Sequence, residues 1–353
     1  MFSQSIYHTF KRYRTLRTDT IFALPIVILI PHSACNCQCV MCDIWKGNRN
    51  LKQLTESDIT GLLGTLKKLG TQQVVMSGGE ALLNPNFFRF CEIIRNEGIS
   101  ITLLSTGLTI KRNADRLVQF VDEIIVSLDG DEKTHDAIRN IPGAFLKLKE
   151  GVEQVKSLSP QYKITARTVI HRLNFRNWPY IVENAKEIGL NQISFLPADT
   201  SSHAFNREIL WDQPRQNEIL ISPEELPELK SVINILIEQH RHDFETHFIV
   251  ESTSKIQKIY EYYAAFYGLN PFPYKKCNAP WVSTVVEADG TVRPCFFHSA
   301  YGNIREKSLG EIINGAEAIR FRKSLDTNTN SICEKCVCYL NLPTGMNVGG
   351  IKI

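Results

Sequence analysis

The chain has 353 residues, 43% of them hydrophobic and 22% charged, the composition of an ordinary globular protein of roughly two domains. Lys+Arg 40 against Asp+Glu 37 leaves a formal charge of +3, too even a balance to argue for nucleic acid or a membrane surface. Cores of this size need no disulfide staples, so the 10 cysteines require another explanation.

The opening segment, residues 1–20, carries Lys11, Arg12, Arg14 and Arg17 and leads into the apolar run IFALPIVILI and then HSAC. That order imitates a secretion signal. However, Pro25 and Pro31 bracket a run too short to span a bilayer, and His32 interrupts it. Cleavage at Cys35 would also put every remaining thiol in an oxidising compartment. The expectation is a basic surface helix feeding a buried first strand, in a cytoplasmic protein with no membrane span and no nucleic-acid partner.

Short apolar runs then alternate with amphipathic stretches. Strands are expected over 24–30, 72–76, 100–104, 123–127, 163–169 and 191–196. Helices are expected from Thr55, where TESD has capping-box form, to Gly70, and over 85–97, 110–120, 143–157 and 176–188. This alternation predicts an α/β fold with a parallel sheet and right-handed crossovers. Ligands of such sheets bind in the loops after the strands' C-terminal ends. Residues 201–275 break the pattern and read as a helical insert or linker; 276–353 read as a separate C-terminal module of short strands and Gly turns. The alternating strand–helix part is assigned to 21–200.

The loop after the first strand reads CNCQCVMC, residues 35–42, and the loop after the second reads SGGE, residues 77–80. Cysteines two apart in extended chain cannot bridge without severe distortion, whereas thiolates suit iron–sulfur clusters, zinc or cuprous copper. The subset Cys35, Cys39 and Cys42 has the spacing C-x3-C-x2-C, which can hold three irons of a cubane and leave the fourth open for chemistry.

C-x3-C-x2-C after the first strand, with GGE after the second, resembles the radical S-adenosylmethionine enzymes. Asn36 fits a common form of the motif, and the likeness continues at Ser105, Thr106 and Gly107 and at VSLDG (126–130) with Arg139 nearby. The resemblance implies a partial (β/α)6 barrel that binds a [4Fe–4S] cluster and S-adenosylmethionine, served by a flavodoxin- or ferredoxin-type electron donor. It further implies that Glu80 binds the amino group of S-adenosylmethionine, with Gly78 and Gly79 allowing close backbone approach. Ser127 and Arg167, at strand ends, are candidates for its ribose or carboxylate; a strand-end hydrogen bonder and a surface salt bridge are the plain alternatives. Met41 stands where the family usually has an aromatic residue. Cys37 reads as a small side chain at a variable loop position rather than a ligand.

Elsewhere the plain readings are preferred. Cys91 belongs to a helix's apolar face, His32 has a structural role, and HRHDFETH with His240, His242 and His247 is a solvated helix face. Tyr260, Tyr262, Tyr263, Phe266 and Tyr267 form an aromatic helix packed on the barrel.

Five cysteines remain. Cys277 and Cys295 flank a predicted hairpin, VSTVVE, a turn at Asp289-Gly290 and TVRPC, that brings them together. Cys333 and Cys336 follow as C-x2-C, with Cys338 as a spare or substitute ligand. The pattern resembles the auxiliary-cluster domains called SPASM and, in shortened form, twitch, which implies a second [4Fe–4S] cluster. A four-thiolate zinc ribbon is the competing reading. The expected function is therefore a radical enzyme that cleaves S-adenosylmethionine to a 5′-deoxyadenosyl radical and oxidises or rearranges a small molecule. The alternatives are a peptide maturase of the same class, an iron–sulfur electron carrier, and a zinc-stabilised binding protein.

Overall fold

The structure, a computed structural model, describes residues 2–345; Met1 of the basic segment and residues 346–353 of the C-terminal module lie outside the described residues. Six strands pair in parallel and in chain order: β1 (Ile26–Leu29), β2 (Gln73–Met76), β3 (Ser100–Ser105), β4 (Glu123–Ser127), β5 (Ile164–Ile170) and β6 (Gln192–Pro197). The helices are α1 (Phe2–Thr18), before β1, and then α2 (Glu56–Leu69), α3 (Phe87–Arg95), α4 (Ile110–Phe120), α5 (Glu132–Arg139), α6 (Ala144–Leu158) and α7 (Trp178–Glu187), which cross between strands. This is the partial (β/α)6 barrel expected. α2 starts where TESD announced it: Thr55 accepts the Asp58 N–H, Asp58 accepts the Thr55 N–H, and Gly70 closes the helix in the left-handed region.

β1, IVIL, reads as an unbroken apolar run, and β2 and β4 nearly so, because both faces are covered. Val27, Leu29, Val74, Met76, Ile101 and Leu103 pack with the helices in one core, which also holds Cys91. On the opposite face, Ile26, Ile28 and Val75 pack with Val282, Val285 and Leu342. The C-terminal module therefore supplies side chains to the barrel itself.

The expected hairpin is present as β7 (Ser283–Val286) and β8 (Thr291–Arg293), antiparallel, followed by β9 (Gly302–Asn303). β7 also pairs in parallel with β1, Ile28 opposite Val285, so the sheet runs unbroken from β6 through β1 to β9. The boundary expected near 276 thus crosses no gap in the backbone ladder. Asn278 fixes the tail beside it. Its backbone N–H donates to Leu340 O (2.8 Å), its side-chain amide donates to Leu342 O (2.9 Å), and its Oδ1 accepts the Leu342 N–H (2.9 Å).

The insert is helical as expected, with α8 (Gln213–Asn217), α9 (Leu226–Gln239), α10 (Arg241–Glu245) and α11 (Thr253–Ala265). The long stretch from Glu228 breaks at His240. That ring is buried against Asp243 at 2.8 Å, so His240 does not lie on a solvated face, whereas His242 and His247 do. The aromatic helix docks as read: Tyr262 Oη donates to Ala198 O at 3.1 Å, and Tyr263 Oη accepts the Ala198 N–H at 3.0 Å. Among the described residues, no helix is long and apolar enough to cross a membrane.

Candidate active site

The cysteine loop is suspended between three elements. On the β1 side, His32 Nδ1 accepts the Ala34 N–H at 2.9 Å, the structural role expected of it. Asn48 then clasps Cys35, accepting its N–H at 3.0 Å and donating to its carbonyl at 2.8 Å. On the α5 side, the Gln38 N–H donates to Arg139 O and the Val40 N–H to Ile138 O, both at 3.0 Å. From beyond β6, Arg207 donates to Met41 O at 3.3 Å and Arg215 to Val40 O. A loop with its carbonyls and N–H groups so widely committed has little freedom to rearrange.

Each of the three singled-out sulfurs has a donor aimed at it. The Cys37 N–H lies 3.4 Å from Cys35 Sγ, the Ile44 N–H lies 3.4 Å from Cys42 Sγ, and Arg139 Nη1 lies 3.5 Å from Cys39 Sγ. Donors directed at thiolate sulfur are the outer shell that iron–sulfur ligands require, so the donor set fits a cluster. Cys39 is held at about 6, chiefly by a hydrogen bond from the Cys37 thiol and with Arg139 helping against the cost of burial. A lowered pKa favours the thiolate, the form in which a cysteine can bind a metal. Burial and the Cys39 charge push Cys42 to about 12. Cys37 itself is buried, its thiol hydrogen-bonded with Cys35 and Cys39 and packed with Ile138 and Trp211; it is more enclosed than a variable loop position requires.

The SGGE loop explains its own glycines. Gly78 has φ +120°, and a Cβ there would meet Ile30 at 2.6 Å. A Cβ on Gly79 would lie 2.3 Å from Ala34 O and 2.9 Å from Cys35 Cβ, so the cysteine loop packs directly on its backbone. Glu80 is fully buried. Its Oε2 accepts from Ser105 Oγ (2.9 Å) and the Thr106 N–H (2.9 Å) and lies 2.7 Å from Thr106 Oγ1, whereas Oε1 accepts the Leu82 N–H (3.2 Å). Thr106 Oγ1 is also 2.9 Å from Asn36 Oδ1. Asn36, Thr106 and Glu80 thereby link the loops after β1, β2 and β3, three motifs that the sequence keeps apart.

Ser127 and Arg167 are register partners on β4 and β5, so they share a face of the sheet. Arg167 is near Cys338 of the second cysteine set, and Asp199 and Lys255 are there too. That set is gathered as the hairpin predicted: Cys277 and Cys295 are electrostatic neighbours of each other and of both Cys333 and Cys336, and Cys338 neighbours Cys295 and Cys336. The Cys336 N–H closes the C-x2-C turn on Cys333 O at 3.1 Å. Burial raises Cys295 to about 11 and Cys333 to about 12. His298, buried against Phe321, brings Nε2 to 3.3 Å from Cys333 Sγ. Its only signal in the sequence is its place three residues after Cys295. All ten cysteines are free thiols. Among the described residues, no three His, Cys, Asp or Glu side chains converge as a single metal ion requires.

Residues 29–197 match the family model of the radical SAM superfamily, and residues 277–337 match SPASM, an iron–sulfur cluster-binding domain. The chain is 26% identical over 326 residues to the AdoMet-dependent heme synthase of Methanosarcina barkeri, covering 87% of each chain. It is 23% identical over 344 residues to the cysteine-type anaerobic sulfatase-maturating enzyme of Clostridium novyi, covering 90% of this chain and 86% of that one. Streptococcus suis SuiB bound to precursor peptide SuiA shares the fold, with a TM-score of 0.62 at 14% identity over 92% of this chain and 73% of that one.

Proposed function

Since this chain belongs to the radical SAM superfamily and carries an iron–sulfur cluster-binding SPASM domain, we propose that it oxidises a carboxylate-bearing small molecule held between two [4Fe–4S] clusters. When bound, the first cluster and S-adenosylmethionine supply a 5′-deoxyadenosyl radical, which takes a hydrogen atom from the substrate. The chain's own residues hold, orient and seclude. Cys35, Cys39 and Cys42 ligate the first cluster. Glu80 receives the cofactor's amino group, and Ser127 and Arg167 serve its ribose or carboxylate. Cys277, Cys295, Cys333 and Cys336 ligate the second cluster, with Cys338 as the alternate. In this reading a flavodoxin- or ferredoxin-type protein delivers the electron, in the cytoplasm.

The observation that carries the substrate class is charge. Arg167 and Lys255 are near Cys338, opposed there by Asp199 and with Lys255 also paired to Glu251 at 3.5 Å, and Lys275 is near Cys333 and Cys336 with its Nζ 2.6 Å from Glu334 O. Cations beside the second cysteine set suit an anionic substrate. A peptide is the second reading, favoured by the sulfatase-maturating relative and by the peptide bound to SuiB.

The test is label transfer. Reduced, reconstituted protein is given S-adenosylmethionine with either deuterated iron coproporphyrin III, a tetracarboxylate, or a deuterated cysteine-containing peptide. Deuterium in 5′-deoxyadenosine from the porphyrin supports the first reading, and deuterium from the peptide alone supports the second. Failure to form any 5′-deoxyadenosine would overturn both.

A further inference from the structure

The end of α5 meets the cysteine loop through one buried cation. Asp129, fully buried after β4, grips the Arg139 guanidinium, its Oδ2 lying 2.6 Å from Nε and 2.5 Å from Nη2. The third nitrogen, Nη1, is turned to Cys39 Sγ at 3.5 Å. The backbone at Ile138 and Arg139 takes the N–H groups of Val40 and Gln38, so sulfur and guanidinium cannot separate without breaking two further hydrogen bonds. The other two candidate sulfurs receive backbone N–H donors, which are neutral; Cys39 receives a charged one. His135 supports the pair from behind, its Nδ1 accepting the Asp129 N–H at 3.2 Å.

We propose that Arg139, oriented by Asp129, is a positioning residue that sets the reduction potential of the cluster held by the cysteine loop. The proposal rests on the reading of Cys39 as a cluster ligand. A guanidinium stays protonated in any protein environment. Hydrogen bonds to a ligand sulfur stabilise the more negative, reduced cluster and so raise its potential. Although Asp129 balances the net charge, it sits on the far side of the guanidinium, so the positive end of the pair faces the sulfur. A salt bridge that merely held α5 in place would act on stability and leave the potential alone.

The experiment is a potentiometric titration of the full chain with both clusters reconstituted, read by electron paramagnetic resonance. Arg139→Gln is expected to keep its iron and to lower the reduced-to-oxidised ratio of the first cluster about tenfold at a fixed potential, equivalent to about 59 mV for one electron. Arg139→Lys should fall between, and the auxiliary cluster should not move. An unshifted first cluster in Arg139→Gln, or an equal shift in both clusters, overturns the proposal. Should Arg139→Gln assemble poorly, Arg139→Lys decides: a smaller shift in the same direction supports the proposal, and no shift defeats it. Cys39→Ser is the separate control on the ligand reading. A full cluster with an unchanged spectrum in that variant shows that Cys39 is not a ligand, and removes the proposal for that reason and not for a failure of tuning.

Discussion

The indole N–H of Trp211 donates to Asp43 Oδ2 at 2.8 Å, joining the segment after β6 to the residue that follows Cys42. Trp211 is buried and stacks with two cations, Arg207 at 4.2 Å and Arg215 at 4.6 Å from its ring, and both of these bond to carbonyls of the cysteine loop. Arg207 is itself buried and paired with Asp199. The segment acts as a strap across the loop's outer edge, built around one indole.

Trp211→Phe keeps the ring packing and removes the donor to a buried carboxylate. The expected loss is about 1–3 kcal/mol, seen as a lower thermal midpoint and faster bleaching of the first cluster's visible absorbance in air. Arg207→Ala should be worse, about 3–5 kcal/mol, because Asp199 is left buried without its cation. Unchanged bleaching in both variants would show that the strap does not shield the loop.

The two cysteine sets should separate cleanly by iron content. About eight irons per chain are expected, and the triple variant of Cys35, Cys39 and Cys42 to Ala should keep about four with a [4Fe–4S] spectrum. Stoichiometric zinc in that variant would instead establish the ribbon reading of the second set. Cys37→Ala should keep the first cluster, since Cys35, Cys39 and Cys42 each have a separate donor. The substitution removes the Cys37 thiol but keeps its backbone N–H, the donor to Cys35.

The barrel strands were legible because burial on both faces leaves short, largely apolar and β-branched runs, even in β5, ITARTVI, where Arg167 interrupts the run. α5 was not: in EKTHDAIR the buried residues are His135, Ile138 and Arg139, two of them polar, so no apolar period announces a helix. The cysteine motif and SGGE were legible as short local patterns. What holds them was not, since Asn48, Arg139, Arg207 and Trp211 reach the loop across long stretches of chain, and single polar residues carry no periodic signal. Arg139 surfaced only as part of a family likeness, without a role. The hairpin was legible from Asp289-Gly290, but its pairing with β1 was not, because a parallel neighbour leaves no local mark on a strand already apolar.

Asn278 ties Cys277 to the tail that carries Cys333, Cys336 and Cys338. Asn278→Ala removes two side-chain hydrogen bonds to Leu342, at a cost of about 2 kcal/mol. The first cysteine set has no bond to this residue. The expected outcome is a selective loss of auxiliary iron, with the first cluster and 5′-deoxyadenosine formation without substrate retained. Equal loss of both clusters would mean that the β1–β7 pairing couples the two sites.

Acid should unfold the barrel through two buried histidines. His135 and His171 are both fully buried and lowered to about 3, by burial first and by the Arg139 charge second. Each uses Nδ1 as an acceptor, from the Asp129 N–H at 3.2 Å and the Leu173 N–H at 3.3 Å, which only the neutral ring can do. In the unfolded chain each titrates near 6.5, so between about 3 and 6.5 the unfolded state binds more protons. Stability therefore falls as pH drops through that window, by up to about 1.4 kcal/mol per pH unit for each ring, and levels off above it. The thermal midpoint of the reconstituted protein should be flat from pH 8 to 7 and fall steadily from about pH 6.5 to 5. His135→Asn, which keeps an acceptor near the Asp129 N–H, should reduce that slope by roughly half. An unchanged slope in His135→Asn would mean that this ring is not among the groups that acid attacks.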